Sequence, residues 1–136
     1  MIQNIEYVFP IEGDCRESYK NDRMTRELMD DGYKCISNIP YSLFTPLEFS
    51  GRFAGDCDTR TVMLYALLKK FNYDVAILNS KSYQHSIIGI NLPTYGDGYK
   101  IINNKKYYLW ETTGPRWEMG VVPPNYLDIS KWYYII

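Results

Sequence analysis

The chain has 136 residues, of which 46% are hydrophobic and 23% charged, a composition typical of a folded globular chain and not of a disordered one. Its 15 basic and 16 acidic residues give a formal net charge of -1, so no basic surface predicts nucleic-acid binding. No apolar run is long enough to span a bilayer, so we expect no membrane segment in this chain.

The first residues, MIQNIEYVFPIEGDC, lack the basic region and the unbroken apolar region of a secretory signal peptide. An excised domain would lack such a segment too, so a cell-envelope and a cytoplasmic location both stay open. The length suits one domain over residues 1–136. That domain could be complete, or it could be cut from a longer chain whose other domains are its partners.

The three cysteines are Cys15, Cys35 and Cys57, an odd and low number that does not predict a disulfide framework. One bridge between Cys15 and Cys35 stays open and would leave Cys57 free. The sequence has no CxxC spacing and a single histidine, so a structural zinc site is not expected.

The first third of the chain gives weaker structural signals. Residues 2–11 are apolar and interrupted by Pro10, which fits the end of a helix or a short strand. Residues 23–34 predict a short helix that ends near Gly32. Residues 36–53 contain two prolines and a glycine among scattered aromatic residues, and predict an ordered loop region.

The clearest helix is predicted over residues 58–71. Apolar residues lie on most of its sides, a pattern that indicates a helix buried nearly all round. Asp56 or Asp58 can cap its start through a carboxylate oxygen. Asn72 fits a left-handed ending just after it.

Strand signals follow this helix, at 74–80, 85–93, 99–102 and 105–113. Asn103 and Asn104 separate the last two segments and predict a tight hairpin turn. Residues 114–136 are irregular. We therefore predict an α+β domain in which a mostly antiparallel sheet packs on one central helix that carries Cys57.

The position of Cys57 suggests chemistry, because it stands between two aspartates at the start of the predicted helix. The first turn of a helix exposes unpaired N–H groups and a partial positive charge, which would lower the pKa of a thiol there. The same N–H groups can donate to an oxyanion.

Two later residues could complete a catalytic set. His85 begins a predicted strand and can act as the base for the thiol. Glu111 ends a later strand, and a neighbouring strand could carry His85 beside it. Each of the three residues has an ordinary structural interpretation on its own, but a cysteine at a helix start, a histidine on one strand and an acid on the next is a more specific pattern.

The segments GDCDTRTVMLYALLKKFNYDVAIL, YQHSIIGI, KKYYLWETTGP and WEMGVVPP resemble the bacterial transglutaminase-like domain, a group of papain-like cysteine enzymes. The resemblance covers residues 51–124 and implies a papain/transglutaminase-like fold. It implies that Cys57 is the nucleophile, His85 the general base and acid, and Glu111 the orienting carboxylate, where the family most often has aspartate.

The family's usual oxyanion donor, on the segment before the cysteine, has no clear counterpart in TPLEFSGRF. The remaining site candidates, assigned to oxyanion or substrate binding, are Gln84, Asp58 and Trp110. Trp110 could line a cleft for an extended chain, although core packing is the more common role of such a residue.

Three functions follow from these patterns. The first is a cysteine peptidase or amidase acting on a peptide or protein substrate without a cofactor, with transglutaminase-type transfer to an amine as its variant. The second is a catalytically inactive peptide-binding module on the same fold. The third is a metal site of Cys57, His85 and a neighbouring aspartate, which offers few ligands for zinc. We favour the first.

Overall fold

The computed structural model describes residues 2–136, which form four α-helices and seven strands. The helices are α1 (Cys15–Asn21), α2 (Arg23–Asp30), α3 (Pro46–Arg52) and α4 (Cys57–Lys70). The strands are β1 (Val8–Pro10), β2 (Lys34–Ile36), β3 (Val75–Ser80), β4 (His85–Ile90), β5 (Tyr99–Ile102), β6 (Lys105–Trp110) and β7 (Tyr133–Ile135). Within this part of the chain, no helix has the length and apolar character needed to cross a membrane.

Five strands form one sheet in the order β5-β6-β4-β3-β7, and every neighbouring pair is antiparallel. The predicted α+β class with an antiparallel sheet is therefore confirmed. The predicted turn between β5 and β6 is also present, since Asn103 and Asn104 both have a positive φ. Strands β1 and β2 form a separate parallel pair.

Helix α4 packs against β3 and β4 on one face of the sheet, where Leu64 contacts a cluster with Val75 and Ile88. The opposite face carries a second core cluster that includes Trp132, which is 1% exposed. Buried positions in α4 end at Leu64, and Leu67 is 43% exposed. The prediction of a helix buried nearly all round was therefore wrong, because in the second half of α4 only one side, with Tyr65 and Leu68, packs against the sheet cluster and the other side faces solvent.

Two regions predicted as loop or irregular chain contain regular structure. The prediction of a loop over residues 36–53 was wrong for its second half, where α3 begins after Thr45. Thr45 and Glu48 cap each other's backbone N–H groups there, and Pro46 occupies the first helical position. The irregular segment 114–136 includes β7, a short exposed strand that forms by pairing with the edge of β3.

The N-terminal helices form a hairpin closed by a disulfide bond. Helix α2 lies where a short helix was predicted, and α1 precedes it with Asp14 as its N-cap. Cys15 at the start of α1 is bonded to Cys35 in β2, and their Cα atoms are 6.1 Å apart. The bridge that the sequence left open is therefore present, and Cys57 is the free cysteine.

Candidate active site

Cys57 is the first residue of α4 and is 7% exposed. The helix begins there because Asp56 has extended backbone and its Oδ1 accepts a hydrogen bond from the Thr59 backbone N–H at 3.0 Å. Asp56, and not Asp58, is thus the N-cap that the sequence left undecided. This capping places the thiol at the exposed N–H end of the helix.

The environment of Cys57 disfavours its thiolate. Burial raises the pKa of the thiol to about 12, and the carboxylates of Asp58 and Asp56 add to the effect, while the backbone N–H groups of Ser86 and Asp58 oppose it. The position at a helix start, taken alone, predicts a lowered pKa for this thiol. The pKa of the thiol is raised and not lowered, because burial and two adjacent acids outweigh the backbone N–H groups that favour the thiolate.

His85 and Glu111 form a buried contact, with 2.7 Å between Nε2 and Oε2. Ile88 of β4 pairs with Trp110, the last residue of the antiparallel strand β6. Glu111 is the residue that follows Trp110. The same register brings Glu111 level with Ile87, two residues from His85 on the same face of the sheet. The two side chains therefore meet diagonally at one end of these strands.

Glu111 is held as a carboxylate. Its second oxygen accepts hydrogen bonds from the backbone N–H and the hydroxyl of Thr113, at 2.7 and 2.6 Å. Burial opposes its ionisation, but the contacts with His85 and Thr113 outweigh burial and lower its pKa to about 2. The longer side chain of glutamate thus reaches the imidazole and keeps its negative charge.

Aromatic rings surround the imidazole. The Tyr126 ring stacks on His85 with 4.9 Å between the ring centres, and the Trp132 ring meets it edge-on at 6.2 Å. With these rings packed against the imidazole, His85 is 8% exposed and Glu111 4% exposed. Because Nε2 is engaged with Glu111, Nδ1 is the ring nitrogen left for a second partner.

The thiol approaches β4 at Ser86, the residue after the imidazole. The Ser86 backbone N–H acts on the thiol, and its hydroxyl donates to Oδ1 of Asp58. Asn79 donates in turn to the Ser86 hydroxyl at 2.7 Å. Among residues 2–136, no hydrogen bond joins Cys57 to the imidazole of His85. The start of α4 and the start of β4 are therefore neighbours, without a hydrogen bond between the thiol and the imidazole.

Two adjoining cavities open at this point. Cys57 lines one of about 240 Å³, and His85 lines one of about 510 Å³. Gln84 and Tyr7 line both, and Gln84 has a left-handed backbone with φ 49° that a non-glycine residue rarely adopts.

The three residues predicted to bind the oxyanion or the substrate fall in two places. Gln84 lines both cavities, and Asp58 lines that of the thiol. Trp110 lines neither, because it packs in the core cluster under α4 and donates to the Trp117 carbonyl at 3.2 Å. The structure thus brings Gln84 and Asp58 to these cavities, and it packs Trp110, partly buried, against the core cluster under α4.

Arg60 is a site neighbour that was not predicted from the sequence. It is 1% exposed, and its guanidinium donates to the carbonyls of Ile5 at 2.6 Å, Gly55 at 2.9 Å and Thr112 at 3.4 Å. The sequence did contain a local indication of this role. A cation in the first turn of a helix is unfavourable beside the positive end of the helix dipole, so its presence there indicates stabilising contacts elsewhere. Burial also raises the pKa of Tyr7. No local sequence pattern indicated that Tyr7 belongs to the site.

Within the described residues, no group of three His, Cys, Asp or Glu side chains could hold a metal ion. What the site does hold is a thiol at a helix start, an imidazole fixed by a buried carboxylate, and two cavities that could receive a ligand.

No family model, curated protein or solved structure matches this chain. The resemblance to the transglutaminase-like domain therefore remains a prediction, and the site must be interpreted from its own geometry.

Proposed function

We propose that this chain is a cysteine-dependent acyl-transfer enzyme that hydrolyses a peptide or related amide through Cys57, His85 and Glu111. The observation that carries the proposal is the buried 2.7 Å contact between His85 Nε2 and Glu111 Oε2, close to the one cysteine outside the disulfide. A carboxylate on one ring nitrogen fixes the tautomer and orientation of the imidazole and stabilises its protonated form.

In the acylation step, Sγ of Cys57 bonds to the amide carbonyl carbon while the thiol proton passes to Nδ1 of His85. The carbonyl oxygen becomes an oxyanion. Nδ1 then gives the proton to the amide nitrogen, the C–N bond breaks and the amine leaves. A thioester on Cys57 remains.

In the second step, water attacks the thioester carbon as Nδ1 takes one of its protons. The C–S bond breaks, the acid leaves and the proton returns to Sγ. Since burial raises the pKa of Cys57, the thiol is protonated at rest, and the imidazole must take its proton during attack. Backbone N–H groups at the start of α4 and the Gln84 amide are the donors available to the oxyanion.

The fold supports the same proposal. A helix that begins at the cysteine packs on antiparallel strands whose ends carry the histidine and the acid, which is the arrangement that the resemblance to transglutaminase-like domains implies. We therefore propose a papain/transglutaminase-like fold, with Glu111 in the position of the family's aspartate.

An inactive peptide-binding module is the second candidate. The observations that favour it are the raised pKa of Cys57 and the absence, among residues 2–136, of a hydrogen bond between its thiol and His85. Such a module would keep the cavities and would not need the thiol.

The test is acylation by 4-nitrophenyl acetate, a general acyl donor. We expect a burst of 4-nitrophenol, with the acetyl group on Cys57 by peptide mapping. His85→Ala should lower the acylation rate by about 100-fold to 10,000-fold. Ser82→Ala, an exposed change in the turn just before β4, serves as the matched control and should leave the rate unchanged.

Acetylation at lysines alone, or at Cys57 with equal rates in wild type and His85→Ala, would contradict the enzyme and favour the binding module. If Cys57 is acetylated, added methylamine separates the two acyl-transfer reactions. Release of acetate indicates hydrolysis, and release of N-methylacetamide indicates transfer to an amine.

A further inference from the structure

We infer that the larger cavity is a specificity pocket for a cationic side chain, lysine or arginine, next to the reacting amide of the substrate. This inference rests on the proposed function for its meaning, because it names the substrate class of the same site. The cavity has a volume of about 510 Å³, within the usual range of about 300–1,000 Å³ for ligand pockets.

The wall of this cavity is negatively charged on one side. Glu27 and Asp31 line it from α2 and the residue after it, and no lysine or arginine lines it. Asp31 makes no ion pair within the described residues, and Glu27 has one oxygen bonded to Arg23 at 2.6 Å. Two carboxylates at the mouth of a cavity attract a cation and concentrate it there.

The backbone adds to this negative field. Asp31 directly follows the last residue of α2, where the helix dipole is negative and an acidic side chain is unfavourable. Gly32 has a φ of +88°, and the Tyr33 N–H donates to the Leu28 carbonyl at 3.0 Å, which turns the chain back. This turn places Tyr33 beside Asp31 in the cavity wall. A bound cation would offset charges that otherwise cost stability.

Aromatic rings complete the wall. Tyr33 and Tyr126 line the cavity together with the carboxylates, and an aromatic ring face attracts a cation. A small divalent ion fits less well, since residues 2–136 contain no group of three ligating side chains. A long side chain with a charged end suits both the apolar walls and the acidic mouth.

The position of the cavity decides which part of the substrate it receives. His85 lines it, and Gln84 and Tyr7 lie between it and the cavity of Cys57. A chain whose carbonyl lies at the thiol would therefore place a neighbouring side chain in the larger cavity. The cation is a recognition group here and takes no part in bond making.

The test measures binding without turnover, in the full chain carrying Cys57→Ala. The probes are the blocked peptides acetyl-Ala-Lys-Ala-amide and acetyl-Ala-norleucine-Ala-amide, which have similar side-chain lengths and differ in charge. We expect amide NMR shifts around Asp31 and Tyr33, and a Kd for the lysine peptide about fivefold lower than for the norleucine peptide. The difference should shrink in high salt.

Glu27→Gln with Asp31→Asn should remove the preference for lysine. Glu17→Gln is the matched control, because it removes a similar exposed helical ion pair, with Lys20 at 3.5 Å, and lies outside the cavity. Equal or tighter binding of the norleucine peptide, binding of neither peptide, or shifts elsewhere would each overturn the inference. Because the assay lacks the thiol, its outcome is independent of whether Cys57 accepts an acyl group.

Discussion

Glu111 illustrates how single residues act in this protein. A carboxylate that is 4% exposed would ordinarily take up a proton, yet contacts with His85 and Thr113 lower its pKa to about 2. Three hydrogen bonds to its two oxygens compensate for the loss of water. The same contacts that orient the imidazole therefore contribute to folding stability.

Glu111→Gln should show this contribution as a pH dependence. The folded-state pKa lies below the unfolded value, so the stabilisation is present above about pH 4.5 and is lost as pH falls toward 2. We expect the variant to be less stable than wild type by about 3 kcal/mol at pH 7, with the difference closing in acid. Urea unfolding followed by tryptophan fluorescence measures it.

Glu118→Gln, an exposed site, is the control and should be near wild type at every pH. A difference between wild type and Glu111→Gln that stays constant from pH 7 to pH 2 would contradict the assignment of the charge. We also expect Glu111→Gln to lower the acylation rate of Cys57 relative to wild type.

At the scale of elements, the hairpin of α1 and α2 covers the thiol. Met24, Thr25 and Leu28 of α2 line the cavity of Cys57, and none of them belongs to the main sheet. The disulfide has a sequence separation of 20 and closes a loop that contains both helices. A crosslink of this length stabilises a folded chain by about 3 kcal/mol.

Removing the crosslink with Cys15→Ser and Cys35→Ser should lower the free energy of unfolding by about 3 kcal/mol. Because the hairpin then moves more freely, Cys57 should react with iodoacetamide several-fold faster, as measured by peptide mass mapping in native conditions. Tyr19→Phe is the control, because it removes the hydrogen bond to Asp30 inside the hairpin and keeps the disulfide. An unchanged alkylation rate would show that α2 does not limit access to the thiol.

At the scale of the whole molecule, Arg60 connects segments that are distant in sequence. Its guanidinium bonds carbonyls of the N-terminal segment, of the loop before α4 and of the segment after β6. Loss of this guanidinium would leave several carbonyls of these segments unpaired.

Arg60→Met should therefore destabilise the protein by about 3–5 kcal/mol, as measured by chemical unfolding, since each buried carbonyl left unpaired costs about 1–3 kcal/mol. Arg26→Met is the matched control, because Arg26 also donates to two backbone carbonyls, those of Tyr19 and Lys20, but is exposed. We expect the control to change stability by less than about 1 kcal/mol. Similar losses in both variants would refute the role of Arg60.

Several elements could be predicted because their signals are local. The central helix, the strands β3 to β6 and the turn at Asn103 and Asn104 follow from apolar spacing and turn residues. The left-handed ending at Asn72 was also correct, with φ 62°. In α3, Pro46 was interpreted as a loop signal although it stands at the first position of a helix, where proline is favoured. Strand β7 depends on its partner β3, which no local pattern reveals.

The candidate site likewise combines features that the sequence predicts with features that only the folded chain sets. Residue type and position in the sequence are enough to name Cys57, His85 and Glu111 as candidates, because chemical class and helix or strand ends are local properties. The contact between His85 and Glu111, the choice of Cys15–Cys35 pairing and the raised pKa of Cys57 depend on which segments pack together. Burial and distance are set by contacts between remote parts of the chain, and for that reason they appear only in the folded protein.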